Sequence, residues 1–190
     1  MNIFITGKPG VGKTSLVMEI IKELKLDAGG IIAPEIRNKE RVGFKIVDLS
    51  TGEEKILASV YQKEGPRVGK YRVNLENLDE MAKKAIERAI KEKEIVVIDE
   101  IGKMEFYSKV FRETVAKALN SEKIVLAILH RNYVKDFENK GIVFELRRDN
   151  YEEIKKAIIS KISSDNFTHV SSFSGEINDK VKRESRSKTV

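Results

Sequence analysis

A three-layer α/β fold, with helices on both faces of a mainly parallel sheet, is what this sequence predicts, and three observations predict it. Short apolar runs alternate along the chain with stretches of helical periodicity. The first such run passes directly through a glycine-rich turn into a helical stretch. The 190 residues, 41% hydrophobic and 35% charged, suit one well-solvated domain with a sizeable core.

The elements follow in order. Asn2 to Thr6 is a short apolar strand, and Leu16, Val17, Ile20, Ile21 and Leu24 recur at helical spacing, giving a helix from about Lys13 to Leu24. Gly30 to Ala33 reads as a second strand. Gly43 to Leu49 and Lys55 to Val60 flank the glycine-containing turn Ser50-Thr51-Gly52-Glu53, an inserted β-hairpin. Leu78, Met81, Ala82, Ala85, Ile86, Ala89 and Ile90 mark a long amphipathic helix. A buried-type strand over Glu94 to Asp99 precedes a helix over about Ser108 to Leu119. Strand Ile124 to Leu129, a short helix near Asn132 to Asn139, strand Ile142 to Leu146 and helix Asn150 to Ile162 complete the domain. Strands separated by helices imply right-handed crossovers and parallel pairing.

Residues 1–162 therefore form one domain. From 163 to 190 the chain holds seven of its thirteen serines and no period of either kind, which predicts a poorly ordered tail.

Composition excludes several classes of function. With no cysteine, thiolate metal sites, disulfides and cysteine nucleophiles are impossible, and two histidines are too few for a three-histidine zinc site. No run approaches the length of a membrane span, and Met1-Asn2-Ile3-Phe4 lacks the basic start of a secretory signal, so a cytoplasmic protein is expected. The net charge of +6 is spread along the chain and no nucleic-acid motif accompanies it. Abundant lysine and glutamate beside the single glutamine Gln62 resembles the composition of thermophile proteins.

Gly7-Lys8-Pro9-Gly10-Val11-Gly12-Lys13-Thr14 matches the phosphate-binding loop pattern G-x-x-x-x-G-K-[ST]. A chance match in this composition has odds of about one in a hundred, before the required strand-to-helix context is imposed. Glycines let the backbone wrap a phosphate, and the positive end of the following helix faces the same anion. Lys13 reaches the β- and γ-phosphates, and the Thr14 hydroxyl suits Mg²⁺.

The apolar strand Ile95-Val96-Val97-Ile98 ends in Asp99-Glu100. Asp99 is placed to hold Mg²⁺ through water, and Glu100 to orient and deprotonate a water for in-line attack on the γ-phosphorus. An acidic pair of this kind favours NTP hydrolysis over the switch-like GTPases, and no base-reading Asn-Lys-x-Asp element is present. Arg37, Arg41, Lys103 and Arg131 are candidates for a cation that stabilises the transferring phosphoryl group, Lys103 favoured because it lies three residues beyond Glu100. Met104 reads as a core residue, Glu105 as a helix-start carboxylate and His130 as a packed or hydrogen-bonded ring, while Arg147 to Asn150 either flank the base or form a solvated turn with Asn150 as a helix cap.

Three stretches together resemble the thermostable nucleoside-triphosphatase family, related to the cancer-related nucleoside-triphosphatase. They are the phosphate loop, Pro34-Glu35-Ile36-Arg37 running to Arg41-Val42-Gly43-Phe44, and Val97-Ile98-Asp99-Glu100-Ile101-Gly102-Lys103-Met104-Glu105. Val68 to Val73 and Leu129-His130-Arg131 also fit. The resemblance implies a RecA-like fold and Mg²⁺-dependent, slow hydrolysis of several NTPs to NDP and phosphate. It draws Ile101, Gly102 and Lys103 into the nucleotide-binding set with the phosphate loop, Asp99 and Glu100, and it keeps Arg41 as an auxiliary catalytic group. Where the family has a glycine between its two arginines, this chain has Asn38-Lys39-Glu40. Two other classes share these features: a nucleotide or small-molecule kinase, and an NTP-driven module that binds nucleic acid.

Overall fold

The computed structural model describes residues 1–165, and among these the strands form one ten-stranded sheet with helices on both faces. Its parallel core runs in the order β10 (Ile142–Leu146), β1 (Asn2–Gly7), β9 (Ile124–Leu129), β8 (Ile95–Ile101), β2 (Ala28–Ile32). Beyond β2 the sheet continues antiparallel through β4 (Glu40–Asp48), β5 (Glu54–Ser59), β7 (Tyr71–Val73) and β6 (Arg67–Val68), with β3 (Glu35–Asn38) paired to β4. One strand, β9, thus separates the glycine-rich turn after β1 from the acidic end of β8. This is a RecA-like arrangement, as expected.

Strand periodicity produces the three layers. Ile3, Ile5, Ile95, Val97, Leu126 and Ile128 face helix α1 (Lys13–Leu24) and the last helix, α5 (151–165), where Leu16, Val17, Ile20, Ile158 and Ile162 meet them. Phe4, Val96, Ile98, Val125, Ala127 and Leu129 point the other way. They pack against α2 (Leu75–Glu92), α3 (Lys109–Leu119) and the short α4 (Val134–Phe137). No helix of the described residues is long and apolar enough to cross a membrane.

The insertion is larger than the expected hairpin. β4 and β5 pair as anticipated, closed by a turn in which Gly52 sits at φ 75° and Asp48 is pinned by a 2.5 Å ion pair with Arg88. β3, β6 and β7 join them, and at four, two and three residues they are too short to show a period in sequence. The second strand spans Ala28–Ile32 rather than Gly30 to Ala33, because Gly29 carries no side chain to register as apolar. α5 is helical through 165, the last described residue and three past the expected boundary, and the rest of the serine-rich tail lies outside the described residues. Asn150 does not cap α5 with its side chain. Its Oδ1 accepts from the Arg147 amide at 2.7 Å and its Nδ2 donates to the Glu145 carbonyl at 3.0 Å, closing the turn before the helix.

Gly30 shows how tightly β2 is held against β8. Its φ is +114°, and a Cβ there would lie 2.1 Å from the Val97 carbonyl oxygen. Gly30→Ala is expected to cost about 3 kcal/mol or more, combining backbone strain with overpacking of the strand that carries Asp99. Urea unfolding followed by circular dichroism measures it, and an unchanged midpoint would contradict the close approach.

Candidate active site

The site begins with what α1 lacks. Asn74 caps α2, its Oδ1 accepting from the Asn77 amide at 3.0 Å, and the Ser108 hydroxyl caps α3 by accepting from Phe111 at 2.8 Å. The corresponding place in α1 is Gly12, at φ 101°, with no side-chain cap and no acidic residue in the first turn. The first amides of α1 therefore remain available for an anion, at the positive end of the helix. Gly7 must be glycine for a second reason: an added Cβ would meet the Leu146 carbonyl oxygen at 2.4 Å. Gly10 faces open space, and Lys13 Nζ folds back to the Gly7 and Lys8 carbonyls at 3.3 Å each.

Across β9, the Thr14 hydroxyl donates to Asp99 Oδ2 at 2.7 Å. The end of β8 is bulged: Ile98 pairs with Ala127, while Ile101 pairs with Leu129, so Asp99 and Glu100 fall in the irregular step. Thr14, Asp99 and Glu100 line one cavity of about 610 Å³ with Gly7, Pro9, Gly10, Gly12 and Lys13. Lys103, Met104, Glu105, His130 and Arg131 close one side of it. Ala33, Pro34, Glu35, Arg41, Phe44, Leu57 and Val68 close the other.

The remaining expected contacts sit differently. Lys8 and Val11 belong to the loop but do not line the cavity, and Lys8 contributes its carbonyl to Lys13. Ile101 is fully buried in the core. Gly102 lies between two carboxyl groups, since a Cβ there would be 2.9 Å from both Glu100 Oε1 and Glu105 Oε2.

Burial dominates the electrostatics. Asp99 is pushed up to about 6 by burial and by the neighbouring Glu100, against the lowering effect of the Thr14 hydrogen bond and Lys13. Glu100 is raised by burial and lowered by Lys13. Glu105, read in sequence as a helix-start carboxylate, does open a 3₁₀ turn (Glu105–Tyr107), but it is buried there and pushed up to about 8 by burial. Its carboxyl group accepts from its own amide and from that of Gly102. His130 is lowered by burial, Arg131 and Lys13, and its Nδ1 accepts from the Asn132 amide at 3.3 Å.

On the insertion side, Arg41 is held firmly. Its Nε donates to the Tyr71 hydroxyl at 2.9 Å and its Nη1 to Glu35 Oε1 at 2.7 Å, and the guanidinium lies 5.2 Å from the Phe44 ring centroid. Glu35 also takes Arg37, and these two arginines hold it below the usual carboxylate range despite partial burial, which acts to raise it. Lys103 has no comparable restraint among the described residues. Sequence reasoning did not find Tyr71 as the partner of Arg41, nor Phe44, Leu57 and Val68 as cavity wall. Phe44 had a signal in the stretch Arg41 to Phe44, and Val68 and Tyr71 in the run from Val68 to Val73, whereas Leu57 had none.

The fold and the site define a class: an α/β nucleotide-binding domain with a phosphate loop facing an Asp-Glu pair. Comparison with known proteins narrows it. The NTPase family model matches residues 2–159, and the chain belongs to that family. A protein of Methanocaldococcus jannaschii named nucleoside-triphosphatase THEP1 is 49% identical over 167 residues, covering 85% of this chain and 97% of that protein. The nucleoside-triphosphatase THEP1 of Thermotoga maritima is 43% identical over 166 residues, covering 84% and 94%. Among solved structures, THEP1 from the hyperthermophile Aquifex aeolicus superposes with a TM-score of 0.75 at 35% identity, covering 84% of this chain and 98% of that one. The solution structure of a human cancer-related nucleoside triphosphatase gives 0.71 at 29% identity, covering 86% and 97%.

Glu105 yields a prediction about stability. Unfolded, its carboxyl releases a proton near 4.5, whereas in the fold it keeps that proton up to about 8. Proton binding therefore favours the folded state. The contribution is complete below the unfolded value and is lost as pH rises through the folded one. Glu105→Gln, neutral at every pH, is expected to gain stability relative to the native protein as pH climbs between these values. Denaturant unfolding in metal-free buffer measures the difference, and parallel stability curves would contradict a buried, protonated Glu105.

Proposed function

We propose that this chain is an Mg²⁺-dependent nucleoside-triphosphatase that hydrolyses ATP, GTP and other NTPs to NDP and phosphate with little preference for the base. Family membership supports hydrolysis of an NTP. The observation that carries the finer reading is the 2.7 Å contact of Thr14 with Asp99, beside Glu100, in the cavity that the phosphate loop opens into.

Mg²⁺ fits these residues. A hydroxyl and a carboxylate oxygen already meet at one point, and hard oxygen ligands suit the ion. No group of three His, Cys, Asp or Glu residues capable of holding a metal occurs among the described residues, so substrate phosphates and water would have to supply the other ligands. Thr14 would bind the ion directly and Asp99 through water. When bound, Mg²⁺ neutralises charge on the β- and γ-phosphates.

The chain's own groups do the rest. The uncapped amides of α1 and Lys13 hold the phosphates, and the Lys13 ammonium leaves its carbonyl partners to do so. Glu100 accepts a proton from the attacking water as the water oxygen bonds to the γ-phosphorus and the bridging oxygen departs with NDP. Lys103, three residues beyond Glu100 and on the same side of the cavity, is the cation available to meet developing charge on the γ-phosphoryl oxygens, with Arg41 held on the opposite wall.

Lys13→Ala is expected to weaken binding of a non-hydrolysable NTP about 10²-fold or more, with the unfolding profile retained, since charged hydrogen bonds to two phosphates are lost. Calorimetric titration measures this, and native affinity in the folded variant would sink the phosphate-loop assignment. Glu100→Gln should slow hydrolysis by roughly 10²–10⁴ while leaving Mg-NTP affinity near native, because only the basic carboxylate is removed. Asp99→Asn should reduce turnover and raise the Mg²⁺ requirement together. A phosphate-release panel with and without Mg²⁺ tests the whole reading. ATP, GTP, CTP and UTP should fall within about tenfold of one another, and one base preferred more than a thousandfold would contradict it.

A further inference from the structure

We propose that the far half of the site cavity is a second-substrate pocket, in which the γ-phosphoryl group passes to the hydroxyl of a small molecule with a planar body, a nucleoside being the class that fits. This rests on the reading of the phosphate loop and Glu100 given above.

Size raises the question. The triphosphate and its nucleophile share one cavity, which runs from the phosphate loop to the inserted strands. The cavity measures about 610 Å³, within the range of small-molecule sites. Its direction sharpens the point. The Thr14–Asp99 contact and Glu100 mark where the γ-phosphate must lie, above β8. None of the lining residues comes from β10 or the turn after it, on the other side of the phosphate loop. The cavity instead extends across β8 and β2 to the inserted strands, so its second wall lies on the nucleophile's side of the γ-phosphorus.

The chemistry of that wall selects the acceptor. Phe44, Leu57 and Val68 give it an apolar surface, which a water nucleophile has no use for. The Arg41 guanidinium, backed by the Phe44 ring at 5.2 Å and the Tyr71 ring at 5.8 Å, is a flat cationic platform suited to a planar ring. Two of its nitrogens are occupied by Tyr71 and Glu35. The third, Nη2, meets no acceptor among the described residues and can donate to a ring carbonyl or nitrogen. Glu100 beside the γ-phosphate repels an anionic nucleophile such as a second phosphate and suits a neutral O–H. A ribose hydroxyl carrying a planar ring satisfies all three demands.

In the step, the acceptor oxygen bonds to the γ-phosphorus and the bond from that phosphorus to the bridging oxygen breaks. NDP leaves with the electron pair, and the hydroxyl proton goes to Glu100 and then to solvent. The product is a nucleoside monophosphate, and water in the same position gives phosphate instead.

The test follows label from γ-³²P-labelled ATP with Mg²⁺ and adenosine, guanosine, cytidine or uridine, each at several millimolar, above the usual KM range of about 1 μM–1 mM. Glycerol serves as a ring-free alcohol. The expected result is label in a nucleoside monophosphate, NDP in excess of phosphate, and no transfer to glycerol. Val68→Phe, which fills the apolar wall, should lose transfer while still releasing phosphate. Label found only in phosphate, at one NDP per phosphate with every nucleoside, would overturn the pocket and leave the hydrolase reading intact. Equal transfer to glycerol, or equal loss of both activities in Val68→Phe, would also overturn it. Absence of any NDP would defeat the hydrolytic reading together with this one.

Discussion

Everything at this site depends on one short contact between elements that are not neighbours. The Thr14 hydroxyl and the Asp99 carboxylate meet at 2.7 Å, although β9 lies between the strands that lead to them. The contact is possible because the glycine-rich loop brings the first turn of α1 over the ends of the parallel strands, and because the bulge between Ile98 and Ile101 re-aims the end of β8. Gly7 and Gly30 serve the same geometry from below. Each removes a Cβ that would drive a strand away from a neighbouring carbonyl, 2.4 Å from Leu146 in one case and 2.1 Å from Val97 in the other.

Holding three acids in one cavity has an electrostatic cost that the surroundings divide unevenly. Asp99, Glu100 and Glu105 are all raised by burial, and Glu100 raises both of the others. Asp99 also receives the Thr14 hydroxyl and the Ala33 amide, which offset part of what burial does to it. Glu105 sits deepest and keeps its proton, which spares Glu100 a second full negative charge across Gly102. Lys13 lowers both Asp99 and Glu100. A cation arriving at Thr14 and Asp99, as proposed, would deepen that effect.

Much of this was legible in sequence because it rests on local rules. A loop whose glycines need positive φ, a lysine and a threonine at its end, and an apolar strand ending in Asp-Glu leave marks at fixed spacing. Alternation along β1, β8 and β9 likewise announces strands covered on both faces. What could not be read depends on contacts made at a distance. Glu105 looks like an ordinary first-turn acid until α3 and the end of β8 close over it. Tyr71 reaches Arg41 across thirty residues of chain, and a three-residue strand carries no period. Asn150 stands where a cap belongs, yet it turns backwards because the Arg147 amide and Glu145 carbonyl need it more.

The division between legible and illegible follows a division of labour. In the proposed reading the phosphate loop and the Asp-Glu pair act on phosphates, which are alike in every nucleotide, so their requirements are general and produce general motifs. The inserted strands contribute Glu35, Arg41, Phe44, Leu57 and Val68 to the opposite wall, where selectivity toward a second molecule would have to arise. Those residues satisfy one another first: Glu35 neutralises part of two arginines, Tyr71 fixes the guanidinium, and Phe44 packs edge-on to Tyr71 at 5.3 Å. Because the wall is organised before anything binds, a ligand entering it need not bear the entropy of ordering long side chains. A surface that only sealed water out would need no arginine fixed in this way. The constraint on the wall is therefore chemical as well as steric, and it comes from strands whose shortness hides them in the sequence.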